Sequence, residues 1–256
     1  MSHPWFAGER PRVLAHRGFV PPDSEHVTEN SFAAVAAAHA EGVTYVESDC
    51  HLSADGTVIL FHDDDLSRVT GDPRPIAEVH DRELERLMAD RGGLLTLRQA
   101  LDSFPTLRFN LDVKTDAAAE PVGRAVASAA HRVLVTSFSD RRRLRALAAA
   151  RAAGGSPATS AGRSRMIAIL ITTALGIRPL VRRAFRGVDA LQVPERQGVV
   201  RVVTPRLIRA AHANGVEVHV WTVNDAADMR RLLALGVDGL VTDRADRAHE
   251  VIGRRR

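Results

Sequence analysis

Short apolar runs alternate along the chain with stretches rich in Ala, Leu and Arg. Val13–His16 reads as a strand. Ser31–Glu41 reads as a helix, with Asn30 as its N-cap and Gly42 just past its end. Tyr45–Leu52 is a second strand, and Val58–His62 is a further extended run after the turn Ala54-Asp55-Gly56. Leu107–Val113 and Val133–Ser137 are strands, and Ser139–Ala152 is a helix capped by Ser139. Ala190–Val193 is a strand, followed by a helix over Pro205–Ala213 with Thr204 as cap and Pro205 in its first turn. Val216–Val223, the helix Ala226–Ala234 and the strand Gly239–Thr242 complete the series. Two segments fit poorly. Residues 64–98 are polar and contain proline, as an excursion beside the second strand would. Residues 152–187 are rich in Gly, Ser and Arg before an apolar run, and the pattern assigns no elements there.

Repeated strand–helix alternation argues for a parallel sheet. With about seven or eight strands in a single domain over residues 1–256, a closed (β/α)₈ barrel is the expected architecture, with a small insertion at about residues 64–98. The alternative is a doubly wound open sheet. It is disfavoured because no Gly-rich dinucleotide or phosphate-loop fingerprint follows the first strand.

Composition narrows the function. Apolar residues make up 45% and charged residues 26%, so a disordered chain is excluded. The single cysteine, Cys50, excludes an internal disulfide framework. Lys and Arg together number 35, yet Lys114 is the sole lysine. The isoelectric point near 10.3 would suggest nucleic acid, but the net charge is only +4. The basic residues are interleaved with acids and no nucleic-acid motif stands out, so no nucleic-acid partner is expected. Residues 1–11 lack an apolar core segment, so no secretory signal is read and the expected compartment is the cytoplasm. The run Met166–Ile177 is too short to span a bilayer. It is either a buried helix of the domain or an interfacial helix, because Arg163, Arg165, Arg178, Arg182 and Arg183 flank it. Peripheral membrane contact through residues 165–186 therefore stays open.

The chemistry collects at the strand ends, which form the active-site face of such a barrel. The first strand ends in His16-Arg17-Gly18, the second carries Glu47, Asp49 and His51, and the extended run ends in His62-Asp63. The next strand carries Asp112 and leads to Lys114, and the penultimate one ends in Trp221-Thr222-Val223-Asn224. Residues two apart on a strand share a face, which groups Glu47 with Asp49, and Asp112 with Lys114. Buried carboxylates this close are costly without a cation among them. Glu47, Asp49 and Asp112 are thus a suitable oxygen set for Mg²⁺ or Ca²⁺. Arg17 and Lys114 add fixed positive charge for a phosphate. His16 and His62 supply the base and acid that phosphodiester cleavage needs. His51 lies either in the site or at its rim.

Taken in order, these motifs resemble the glycerophosphodiester phosphodiesterase family, part of the wider group of phosphatidylinositol-specific phospholipase C-like TIM barrels. The series is His16-Arg17-Gly18, Glu29-Asn30-Ser31, Glu47-Ser48-Asp49, Phe61-His62-Asp63-Asp64, Asp112-Val113-Lys114, Trp221-Thr222-Val223-Asn224 and Gly236–Asp243. The resemblance implies a (β/α)₈ barrel with a small insertion after the second strand. It implies His16 and His62 as the catalytic acid/base pair, and Glu47, Asp49 and Asp112 as ligands of one divalent cation, Mg²⁺ or Ca²⁺. It further implies Arg17, Glu29 and Lys114 in substrate binding, with Trp221 packed against the glycerol and Asn224 supporting its loop. The third metal ligand in the family is more commonly Glu, and here it is Asp112, one methylene shorter.

The expected activity is metal-dependent hydrolysis of a glycerophosphodiester to sn-glycerol 3-phosphate and an alcohol. The alternatives are a lysophospholipase D-type activity on a membrane-held lipid and a non-catalytic phosphate-binding barrel. The second would be marked by a missing histidine or ligand, and none is missing.

Overall fold

The computed structural model describes residues 3–253. Its elements, in chain order, begin with β1 (Arg12–His16), α1 (Phe32–Ala40), β2 (Tyr45–Leu52) and β3 (Val58–Leu60). There follow α2 (Ser67–Thr70), α3 (Asp81–Met88), α4 (Leu97–Ser103), β4 (Arg108–Val113), α5 (Ala119–Val126) and β5 (Val133–Thr136). Then come α6 (Asp140–Ala152), β6 (Ala158–Thr159), α7 (Arg163–Leu175), α8 (Arg178–Phe185), β7 (Ala190–Pro194), β8 (Arg196–Gln197) and β9 (Val200–Arg201). The chain closes with α9 (Pro205–His212), β10 (Glu217–Trp221), α10 (Ala226–Ala234), β11 (Gly239–Thr242) and α11 (Ala245–Val251).

The parallel strands are ordered β6-β5-β4-β2-β1-β11-β10-β7, and a parallel bridge between Ser160 and Ala190 joins the two ends. This is the expected (β/α)₈ barrel. β1 pairs with both β2 and β11, so the first and last strands of the chain are neighbours. Apolar residues on the outer faces of the strands pack against the surrounding helices. Leu111, Val135, Val218 and Leu240 on strands meet Val35, Val122, Leu147 and Met229 on helices in one continuous core.

The base of the barrel is sealed by the N-terminal segment. Trp5 is fully buried, and its indole donates to the Phe109 carbonyl at 3.0 Å. Arg12 lies beside it, 1% exposed, and grips Glu217 through two nitrogens at 2.7 and 2.8 Å. Its remaining donors reach the Tyr45 hydroxyl and the Phe6 and Gly8 carbonyls. Burying a charge is tolerable only with such complete pairing.

The excursion after β2 is real, and it carries its own small core. Ile59 and Phe61 pack against Leu66, Ile76, Val79, Leu84 and Met88. It ends before residue 98: Thr96 and Gln99 form a capping box that starts α4 in the outer helical layer. The unassigned stretch 152–187 holds β6, α7 and α8.

One local expectation is overturned. Ser31, not Asn30, caps α1, its hydroxyl accepting from the Ala34 amide at 3.1 Å. Asn30 sits in the left-handed region (φ 58°), and its side chain turns into the site. The neighbouring turn is equally constrained. Gly18 has φ 85°, and a Cβ there would stand 2.7 Å from the Ala34 carbonyl carbon, so only glycine lets β1's end pack on α1.

Candidate active site

The C-terminal ends of β1, β2 and β4, together with the residues after β3, bring the sequence-singled residues together. Strand register does most of this. His16 is the cross-strand partner of Glu47, and Asp49 that of Asp112. His62 is delivered by the antiparallel return of β3, where the Phe61 amide donates to the Asp49 carbonyl at 3.0 Å. Arg17, at the end of β1, has φ 59°, and its amide donates to the Glu47 carbonyl at 2.8 Å. Two non-glycine residues in the left-handed region, Arg17 and Asn30, are joined by the Asn30 amide donating to the Arg17 carbonyl at 2.7 Å. Such strain persists where surrounding structure over-determines it, as in active sites.

Three buried carboxylates form the centre: Glu47 is 8% exposed, Asp49 2% and Asp112 6%. Lys114 Nζ lies 2.8 Å from Asp49 Oδ1 and 2.9 Å from Asp112 Oδ2. The other Asp49 oxygen takes the Asn30 amide at 3.1 Å and faces Arg17 Nε at 3.2 Å. Ser48 fixes that Asn30 by donating its hydroxyl at 2.6 Å.

The charges divide accordingly. Burial pushes the Asp49 carboxyl up, but Lys114, Arg17 and Asn30 outweigh it and hold the group below its usual range. Burial leads for Glu47, with the Asp49 charge next, and its carboxyl is raised to about 8. Burial also raises Asp112 despite Lys114. Lys114 stays charged, because the two aspartates overcome the burial that would discharge it.

Both histidines are oriented by carboxylates. His16 Nδ1 lies 2.7 Å from Asp243 Oδ1, and its Nε2 stands 3.9 Å from Glu47. Burial opposes the charged form of His16, but Asp243 and Glu47 prevail and raise its pKa. Asn224 steadies Asp243, donating to it at 2.7 Å and accepting from its amide. His62 Nδ1 lies 2.6 Å from Asp63 Oδ1. Asp63 leads through Arg68 to Glu29, and Glu29 accepts from Arg17 at 2.8 Å. His62 is thereby tied to Asp49 through one ion-pair chain.

Trp221 stands at the end of β10, edge-on to Phe138 with ring centres 5.9 Å apart. His51 is buried and its Nε2 meets the His62 carbonyl at 3.2 Å, which makes it a support for that loop. Asp63 and Asp243 stood in the quoted motifs without an assigned role, and Arg68 was not named from the sequence. Asp63 and Asp243 carried a signal, each directly following a site element. Arg68, in the inserted segment, carried none.

The donor chemistry suits a hard divalent cation. The three carboxylates outnumber the two fixed cations beside them, Lys114 and Arg17, Asp112 Oδ1 is buried with no hydrogen-bond partner among the described residues, and burial followed by the Asp49 charge raises Glu47 to about 8. As they stand, no three His, Cys, Asp or Glu side chains among the described residues form a metal-holding cluster. Away from this face, a cavity of about 440 Å³ opens at the base of the barrel beside Arg10, Arg12 and His212. Arg10 and Arg12 are already paired with Asp238 and Glu217, and His212 Nε2 lies 2.8 Å from Asp238 Oδ2.

Comparison with known proteins gives the family. Residues 16–247 match the model of the glycerophosphoryl diester phosphodiesterase family. A Mycobacterium tuberculosis protein named probable glycerophosphodiester phosphodiesterase 2 is 36% identical, covering 94% of this chain and 90% of its own. The lysophospholipase D GDPD3 of Mus musculus is 25% identical, covering 91% of this chain and 79% of its own. The structure of an Oleispira antarctica phosphodiesterase in complex with the product sn-glycerol-3-phosphate superposes with a TM-score of 0.72 at 23% identity. That match covers 95% of this chain and 97% of the other. The chain belongs to the glycerophosphoryl diester phosphodiesterase family and is a phosphoric diester hydrolase.

Proposed function

We propose that the chain hydrolyses glycerophosphodiesters to sn-glycerol 3-phosphate and an alcohol, with His16 and His62 as the acid/base pair. The observation that carries this reading is the matched orientation of the two rings. Each presents Nδ1 to a carboxylate, Asp243 or Asp63, and neither Nε2 makes a hydrogen bond among the described residues. A carboxylate accepting from Nδ1–H leaves Nε2 as the nitrogen that exchanges the proton. One Nε2 takes a proton from the attacking oxygen as it bonds to phosphorus. The other returns a proton to the alkoxide as the phosphorus–oxygen bond to the alcohol breaks. The sum is the addition of one water.

Arg17 and Lys114 stand beside the carboxylates as fixed positive charge for the phosphoryl oxygens. Glu29 holds Arg17 in place, and Trp221 offers an apolar wall for the glycerol carbons. Glu47, Asp49 and Asp112 would hold one divalent cation, Mg²⁺ or Ca²⁺, which when bound supplies Lewis-acid neutralisation of phosphoryl charge.

The test is chelation followed by reconstitution. Treatment with EDTA is expected to remove turnover of glycerophosphocholine, and added Mg²⁺ or Ca²⁺ to restore it. Turnover indifferent to the chelator rejects the metal role.

A second reading, lysophospholipase D-type action on a membrane-held lipid, is favoured by one observation: apolar side chains are exposed around the mouth of the site. Comparing turnover of glycerophosphocholine with that of lysophosphatidylcholine separates the two.

A further inference from the structure

We propose that the rim of the active-site mouth is a docking surface for an anionic lipid bilayer, built chiefly from α7 and the start of α8. This deepens the reading above, since it says where a lipid-borne diester would be met.

Exposed apolar residues concentrate here. On α7, Ile167, Ile171 and Leu175 are 49%, 55% and 62% exposed and recur every four residues, which places them in one stripe along the helix. The opposite face, with Ile169 and Thr173, is buried. Ile177 and Leu180 continue the patch at the turn into α8, both more than two-fifths exposed.

The helix lies at the mouth of the barrel. The Arg163 amide at its start donates to the carbonyl of Phe138, whose exposed ring touches Trp221 of the site. At its other end, Gly176 abuts the Arg206 side chain from the first turn of α9. Both contacts are with segments that follow barrel strands at their C-terminal ends. The helix, about 20 Å long at 1.5 Å per residue, therefore runs along the active-site rim. Val199 and Val200, at the tip of the β8–β9 hairpin that follows β7, extend the apolar rim.

Charge identifies the partner. No Asp or Glu occurs between residues 141 and 188. Arg163, Arg178, Arg182, Arg183 and Arg186 are exposed and have no ion-pair partner among the described residues. Other arginines of this chain do pair with carboxylates where these lie within reach: Arg74 with Asp72 and Glu83, Arg231 with Glu195 and Asp228. Aliphatic side chains flanked by unpaired guanidinium groups fit the boundary between acyl chains and anionic headgroups. Among the described residues no helix is long and apolar enough to cross a membrane, so the contact is with the surface.

The test uses the full chain with vesicles of phosphatidylcholine, vesicles of phosphatidylcholine mixed with phosphatidylglycerol, and co-sedimentation. Binding is expected to the anionic vesicles and to weaken with salt. Both the Ile171→Ser/Leu175→Ser and the Arg182→Gln/Arg183→Gln variants are expected to lose about tenfold or more in partitioning. Arg151→Gln, remote from the rim, should bind as the unaltered chain does. All three should keep full turnover of soluble glycerophosphocholine, which shows that they fold. Failure to bind anionic vesicles overturns the proposal, as does equal binding by the Ile171→Ser/Leu175→Ser variant. So does a dimer in sedimentation that this variant dissolves, which would make a second copy the occupant. Vesicle binding is read without turnover, so its failure and a failure of the proposed hydrolysis are told apart.

Discussion

Lys114 is the residue on which the site's charge balance turns. Its ammonium bridges Asp49 and Asp112, two carboxylates that are cross-strand neighbours and almost wholly buried. Removing one partner of a buried ionic cluster strands the others, at a cost of about 3–5 kcal/mol. Lys114→Ala is accordingly expected to lower the unfolding midpoint measured in EDTA and to cut turnover. Lys114→Arg probes shape rather than charge. The planar guanidinium is larger than the ammonium and cannot fill the same point between two oxygens, so turnover is expected to fall well below that of the unaltered enzyme. Full activity in Lys114→Arg would return the residue to the status of any other cation. The sequence made much of this legible. Lys114 is the sole lysine among 35 basic residues, and spacing by two put it on a face with Asp112. The role of Asn30 was hidden, because a capping residue and a left-handed residue facing a carboxylate have the same local sequence. Only the backbone at φ 58° distinguishes them.

Among elements, β1 and β10 show how one strand serves both ends of the barrel. β1 ends in His16 at the catalytic mouth and begins with Arg12 at the base, where Glu217 opens β10. Burial would raise the Glu217 carboxyl, but the bonds from Arg12 and His219 outweigh it and lower it to about 2. A depressed carboxyl stabilises the fold above its unfolded value near 4.5 and loses that contribution as pH falls toward 2. The contribution is on the order of 2–3 kcal/mol. Urea unfolding at pH 7 and pH 3 is expected to show a smaller loss of stability on acidification for Glu217→Gln than for the unaltered chain. Equal losses would exclude the pair as an acid-sensitive clasp. Most strands were legible as short continuous apolar runs, and most helices as Ala-, Leu- and Arg-rich stretches bounded by caps and glycines. The stretch 152–187 was legible only in its apolar run Met166–Ile177, read as a helix either buried or interfacial. β6 has two residues, too few to show a period, and α7 is apolar on its buried and its exposed face alike, which hides the face it buries.

At the scale of the whole molecule, closure of the barrel creates contacts that no local pattern announces. His16 meets Asp243 across 227 positions because β1 and β11 pair. Arg68 reaches Glu29 from the inserted segment, which packs on β3 through its own core. The sequence supplied both histidines and all three acids, but their orienting partners came from closure and insertion. The central claim is that these groups together form a hydrolase releasing sn-glycerol 3-phosphate. The most direct measurement is the rate of sn-glycerol 3-phosphate release from glycerophosphocholine, with Mg²⁺ or Ca²⁺ present, for the unaltered chain and for His16→Ala and His62→Ala. The unaltered chain is expected to release it steadily, and each variant to be slower by about 10²–10⁴-fold with an unchanged circular dichroism spectrum. Release undiminished in either variant, or no release from the unaltered chain, would contradict the account.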